Sequence, residues 1–167
     1  MEYFTFFPET KYIDKNIIDI SVRLNFFSKI KANTLLYEYK LIKDGQKPED
    51  VATEYYNDPT LYWIVLIVND IIDPFYEWVL SERRLYEYIK AKYGDNQFQT
   101  IHHYETTDEH ALGAGLWVDS TEPFSTPVSV LTYESFLNEK KRKIKLIKTR
   151  YLPQVLAEYE RVLREIN

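Results

Sequence analysis

The sequence predicts an α+β fold: a central β-α-α-β module, strand arms flanking it and a carboxyl-terminal helix. Three observations carry that expectation. Asp44 to Pro74, DGQKPEDVATEYYNDPTLYWIVLIVNDIIDP, holds two helix-start signals and an almost wholly apolar second half. The residues before it include alternating apolar runs, the mark of half-buried strands. In YLPQVLAEYERVLREI, Val155, Leu156, Tyr159, Val162, Leu163 and Ile166 recur at helical spacing and share one face.

Taken in order, YFTFF (3–7) and NIIDISVRLNFF (16–27) read as strands, with Ile18, Ile20, Val22, Leu24 and Phe26 alternating. LLYEYKLI (35–42) is a further strand, closed by an Asp44-Gly45 turn. Pro48 suits the first helical position, where no N–H is needed, and Glu49 and Asp50 complement the positive end of the helix dipole. Asn57-Asp58-Pro59 ends that helix and starts the next, with Asp58 as N-cap. LYWIVLIVN is apolar nearly all round and demands burial on most sides. The expected module core is Val51, Ala52, Tyr55, Leu61, Trp63, Ile64, Leu66 and Ile67.

Ser81 is placed to cap SERRLYEYIKAKYG, in which Leu85, Tyr86 and Ile89 form an apolar stripe and Gly94 a C-cap. Gly113, Gly115, Pro123 and Pro127 punctuate an irregular stretch, with LWV (116–118) as a short strand. Lys143-Ile144-Lys145-Leu146 alternates like an edge strand whose lysines discourage stray pairing. Thr149 is the expected cap of the last helix, with Pro153 inside its first turn. The chain thus divides into a strand-rich arm (1–36), the module (37–80), a helix (81–94), an irregular and strand region (95–148) and the terminal helix (149–167).

Composition narrows the function classes. Hydrophobic residues make up 45% of the 167, enough for a core and against global disorder. No apolar run is long enough to span a membrane, and MEYFTFFPETKYID lacks the parts of an export signal, so a soluble, unexported protein is expected. The absence of cysteine excludes disulfides and thiolate metal sites. Aromatic residues reach 16%, with 15 Tyr, a composition that suits contact surfaces. KKRKIKLIKTR (140–150) concentrates seven positive charges in a chain of net charge −5, so a positive patch is set on an acidic body. Lys140, Lys141, Arg142 and Lys143 are therefore candidate partner contacts, joined by Tyr159 and Leu163 if the last helix docks on a neighbour rather than on its own core.

No constellation carries chemistry. HHYETTDEH (102–110) gathers histidines and acids, but no ligand pair has a recognised metal spacing, and on a regular strand His102 and His103 point to opposite faces. Scattered carboxylates such as Glu77 and Glu82 show no pairing that sequence can establish for glycoside hydrolysis. The basic run could neutralise phosphates, yet the chain is acidic overall and lacks aromatic-basic repeats. The expectation is no enzyme, no cofactor, no metal, no nucleic acid and no membrane.

YKLIKDGQKPEDVATEYYNDPTLYWIVLIVNDIIDP resembles a LysM module, matching it at Val51-Ala52, Tyr55-Tyr56, Asp58-Pro59, Trp63, Asn69, Ile71 and Asp73-Pro74. It departs after Gly45, where Gln46-Lys47-Pro48 replaces the usual acidic and hydroxyl residues. Tyr-Phe-x-x-Phe-Pro (3–8), Glu77-Trp78, Lys92-Tyr93-Gly94, Ile101-His102-His103-Tyr104 and Asn138 to Ile144 extend the likeness along nearly the whole chain. In this order they resemble the LysM-containing baseplate wedge protein 53 family of contractile-tailed bacteriophages. The resemblance implies a non-catalytic virion part, made in the host cytoplasm, that fastens neighbouring wedges around the baseplate hub. Its implied partners are other wedge proteins, including the wedge-ring component and the lysozyme-like protein that starts the sheath.

The alternative is a carbohydrate-binding module, because LysM units commonly recognise peptidoglycan. It places a sugar groove at Gly45, Gln46, Asn69, Ile71 and Ile72. The altered turn after Gly45 and the single copy of the module weigh against it.

Overall fold

The computed structural model describes residues 3–20, 33–106 and 112–166. It is a mixed helix and sheet protein whose residues group into two compact units. The first comprises Met1–Lys40, Gln46–Pro74 and Ile144–Asn167, the second Leu41–Gly45 and Phe75–Lys143.

The first unit opens with an antiparallel hairpin, β1 (Glu9–Tyr12) and β2 (Lys15–Ile18). A short 3₁₀ turn, Thr34–Leu36, leads into β3 (Tyr37–Leu41). Helix α1 (Pro48–Tyr56) begins with Pro48 at its first turn, and Asp50 accepts from the Lys47 N–H at 2.9 Å. Asn57 ends it in the left-handed conformation, which its short polar side chain tolerates. Asp58 then caps the next turn, accepting from Thr60 N–H at 2.9 Å. That turn is 3₁₀, Pro59–Leu61, and runs directly into α2 (Tyr62–Val68). Both predicted start signals therefore act where the sequence places them.

The sheet partner of β3 is β7 (Lys143–Ile147), about a hundred residues later in the chain. β7 alternates as expected, with Ile144 and Leu146 buried and Lys143 and Lys145 exposed. The terminal helix, α5 (Leu152–Ile166), follows a 3₁₀ turn, Thr149–Tyr151. Thr149 is thus the first residue of that turn rather than the cap of the helix, because Lys148 is the extended residue preceding it.

Trp63, Ile64, Val68, Ile147, Val155, Tyr159 and Leu163 form the core of this unit with Phe7 and Tyr37. Trp63 lies 4.8 Å from Tyr159 and 5.3 Å from Tyr3 between ring centroids, and the Tyr159 hydroxyl donates to the Tyr3 carbonyl. YFTFF is a turn, not the expected strand: Phe7 N–H donates to Phe4 C=O at 3.3 Å. A strand would separate Phe4 from Tyr3 and Phe7 on opposite faces, whereas the turn gathers all three rings within 5.1 Å of one another. Of the expected 16–27 strand, the residues to Ile18 are extended in β2; Val22, Leu24 and Phe26 lie outside the described residues.

In the second unit, α3 (Glu82–Tyr93) buries Leu85 and Ile89 against Val130 and ends at Gly94, whose φ of 97° favours glycine. Ser81 occupies the N-cap position in extended backbone, without a side-chain capping bond. β4 (Ile101–Thr106) is the middle strand of a three-stranded antiparallel sheet, flanked by β5 (Leu116–Val118) and β6 (Thr126–Ser129). Ser129 caps α4 (Val130–Lys140), accepting from Thr132 N–H at 3.1 Å. This helix escapes sequence reading because two of its inward-facing residues, Glu134 and Asn138, are polar and blur the apolar period. Asn138 repays its burial by pairing both ways with the Leu80 backbone, at 2.8 and 2.9 Å.

Replacement of Trp63 by Ala removes the ring that touches both Tyr3 and Tyr159. The expected loss is about 3–5 kcal/mol, read from urea unfolding; wild-type stability would remove Trp63 from the core.

Candidate functional site

Beside the aromatic core of the first unit lies an open groove of about 510 Å³, lined by Phe4, Tyr62, Trp63, Leu66, Ile67 and Ile71. The turn at Tyr3–Phe7 supplies one wall and the outward side of α2 the other. Its lining is chiefly apolar, and no carboxylate or histidine faces it among the described lining residues. Such a surface is suited to burying apolar side chains, and the hydroxyls of Tyr3, Thr60 and Tyr62 are polar groups among its lining residues.

The β1–β2 hairpin is the second feature. Every residue of both strands is exposed, although Tyr12, Ile17 and Ile18 are apolar. Ile13 at its tip is 82% exposed with φ 58°, a strained state for a β-branched residue.

The predicted module core is found largely inside: Val51, Ala52, Leu61, Trp63 and Ile64 are buried, while Tyr55, Leu66 and Ile67 are half-buried. Leu66 and Ile67 face the groove instead. Burial pushes the phenols of Tyr55 and Tyr56 up, and Tyr56 accepts from Ile147 N–H at 3.0 Å, tying α1 to β7.

The residues of the predicted sugar groove have other occupations. Gln46 donates to Glu54 at 2.7 Å. The Asn69 amide donates to the Val65 and Lys145 carbonyls at 2.8 and 2.9 Å and accepts from Lys145 N–H at 2.8 Å. Asn69 therefore behaves as a surrogate strand residue beside β7, with its amide engaged by backbone. Gly45, with φ 70°, makes the turn that its lack of a Cβ permits. Ile71 lines the apolar groove and Ile72 is exposed.

The predicted basic contacts divide. Lys140 is exposed, with its ammonium 4.2 Å from the Phe136 ring centroid. Lys141 donates to the Tyr76 carbonyl at 2.6 Å, and its burial lowers its pKa. Arg142 makes a fork to Glu139, 2.7 Å on each side, and donates to the Ile42 carbonyl at 2.8 Å. Lys143 is exposed on β7. Lys141 and Arg142 are thus committed to their own unit, and reversing their charge would strain the fold as well as any contact. Tyr159 and Leu163 are also corrected: both are fully buried in the chain's own core, so neither presents a partner surface.

The polar cluster on β4 is closer-knit than the sequence predicts. A register irregularity between Ile101 and His103 breaks the strict alternation of β4. It brings His102 and His103 together, with ring centroids 5.1 Å apart, correcting the expectation that they face apart. Glu105 is fully buried and accepts from Gly113 and Gly115 N–H at 2.5 and 3.1 Å. Glu134, also buried, takes Lys92 and the Tyr93 hydroxyl, each at 2.7 Å, and this contact raises the Lys92 pKa. Each carboxylate is thus engaged by structural donors, Glu134 through Oε1. Among the described residues, no group of three or more histidine, cysteine or acidic side chains is arranged to hold a metal.

Asn69→Ala deletes three hydrogen bonds at the α2–β7 junction. At about 1 kcal/mol per bond, the expected destabilisation is about 2–3 kcal/mol by chemical denaturation. An unchanged midpoint would mean that Asn69 does not hold β7.

The family model described as Base plate wedge protein 53 matches residues 2–113. The chain is also 29% identical, over 174 aligned positions, to baseplate wedge protein gp53 of Enterobacteria phage T4, covering 86% of this chain and 87% of that protein. No helix among the described residues is long and apolar enough to cross a membrane. With two-thirds of its length under the family model, the chain belongs to the base plate wedge protein 53 family.

Proposed function

We propose that this protein is a non-catalytic structural subunit of a phage baseplate wedge that fastens neighbouring wedges together around the hub of a contractile tail. It acts in the virion after synthesis in the host cytoplasm. Its partners are other wedge proteins, including the wedge-ring component and the lysozyme-like protein that starts the sheath. The LysM-like module of residues 37–80, whose β3 pairs with β7 from outside it, is reused as a rigid support for contacts.

The observation that carries this reading is the β1–β2 hairpin, exposed along both strands, which holds Tyr12, Ile13, Ile17 and Ile18 in solvent among polar neighbours. A two-stranded ribbon without a packed face is marginal in water, and one that exposes a Tyr and three Ile side chains gains by burying them against another protein. The open aromatic groove gives a second contact surface in the same unit. Aromatic and aliphatic anchors of this kind dominate protein interfaces and require no active site. Against the sugar-binding alternative stands Asn69, whose amide is engaged with backbone.

Co-expression with the wedge proteins of the same genome should give stable co-migration in size-exclusion chromatography, with no retention on peptidoglycan. The double change Ile13→Asp with Ile17→Asp should weaken that association at least tenfold, because each lost apolar anchor is worth about 1.5–3 kcal/mol, with the melting temperature preserved. Lys140→Glu tests the charge contribution without disturbing Arg142. Saturable peptidoglycan binding without wedge association would overturn the reading.

A further inference from the structure

The Nδ1 atoms of His102 and His103 lie 2.9 Å apart. Two imidazole nitrogens hold that distance only if one carries a hydrogen and the other a lone pair. The His103 Nε2 faces Glu105 Oε2 at 3.3 Å, and a carboxylate can only accept there. His103 is therefore assigned the Nε2–H tautomer, with its Nδ1 lone pair receiving Nδ1–H of His102. One added proton is accommodated, since His102 can shift its own hydrogen to Nε2 while His103 donates from both nitrogens. A second proton is not, because it sets two N–H groups and two positive charges against each other.

This pair is wired to a backbone segment. Glu105 Oε2 is shared between His103 and Gly115 N–H, while Oε1 receives Gly113 N–H. The His103 ring is stacked on Trp117 of β5 at 4.4 Å, and His102 on Tyr133 of α4 at 4.2 Å. Gly113 approaches the Phe136 ring so closely that a Cβ would lie 2.8 Å from it. A displaced His103 thus disturbs both the carboxylate that holds Gly113 and Gly115 and the ring that holds β5.

We propose that His102, His103 and Glu105 form a proton-sensitive clamp that holds the Gly113–Gly115 segment and the start of β5, and that releases them when a second proton enters the imidazole pair. The charged and titratable groups facing the pair are Glu105 on β4, Lys92 and Tyr93 on α3, and Tyr133 and Glu134 on α4. Burial holds the His102 pKa below its ordinary value, His103 and Lys92 lower it further, and Glu134 opposes them. The unfolded or released state, with a pKa near the ordinary value of about 6.5, therefore takes the proton first as pH falls. The clamp's stabilisation is complete above that value and drains away as pH drops towards the depressed one.

The test is amide hydrogen exchange of the full chain, corrected for intrinsic rates, from about pH 7.5 to about pH 5, alongside NMR titration of the imidazoles. Protection of the Gly113 and Gly115 amides should fall by up to about tenfold per pH unit for one linked proton, while Lys145 and Ile147 amides of the first unit hold. His102→Asn keeps an amide near the Nδ1 position but does not titrate, and should abolish the fall. PH-independent protection in the wild type, or the same fall in His102→Asn, would overturn the clamp. Should that variant fail to fold, the wild-type titration decides: loss of protection must follow His102 protonation, and full protonation with protection intact refutes the proposal.

Discussion

The contact between Trp63 and Tyr159, with Tyr3 laid against both, is the constraint on which the first unit depends. It joins three stretches of chain that no local signal connects: the amino-terminal turn, α2 and the terminal helix. Rings of this size bury large areas at little cost in side-chain entropy, and their tilted arrangement suits the quadrupoles of aromatic faces. The polar tip of Tyr159 is used as well, since its hydroxyl reaches the Tyr3 carbonyl. Burial of that phenol raises its pKa, so the donating form persists through the physiological range. The same contact places Tyr3 and Trp63 in the lining of the apolar groove, linking core packing directly to a surface suited to association.

The second unit is organised differently. Its apolar cluster around Leu85, Ile89 and Val130 is small, and buried polar groups carry much of the definition. Glu105, Glu134 and Asn138 each gather backbone or side-chain donors from distant stretches of the unit. Buried polar groups are costly unless satisfied, so each network permits few alternative arrangements. Here the gain is geometric: a carboxylate specifies which loop glycines lie over α4, where apolar packing alone would allow sliding.

Membership of a baseplate wedge family is consistent with where this chain leaves its apolar surface. Glu105, Glu134 and the Asn69 amide are engaged by structural partners, whereas the hairpin and the groove offer apolar area to a neighbour. Lys141 and Arg142 look like a docking patch in a linear reading, yet Lys141 ties the 75–143 stretch to itself at Tyr76, and Arg142 holds that stretch to 41–45 at Ile42. A run of like charge records composition, and only the positions of carbonyls and carboxylates decide which cations remain at the surface.

The sequence by itself determined the features governed by neighbours a few residues away. Pro48 and Asp58-Pro59 started their helices, Gly94 ended another, and the spacing of Val155, Tyr159 and Leu163 marked a buried face. The family likeness was also legible, because ordered short motifs survive without knowledge of their contacts. Only the tertiary structure decided that β3 pairs with β7, that YFTFF turns so its rings converge, and that a register irregularity brings His102 and His103 together. It also decided that Glu134 and Asn138 point inward on a helix whose apolar period they obscure. Caps and periodicities are local energies written in adjacent residues. Strand partners, ring clusters and buried polar networks depend on which distant groups arrive together, and that is settled by the packing of the whole fold.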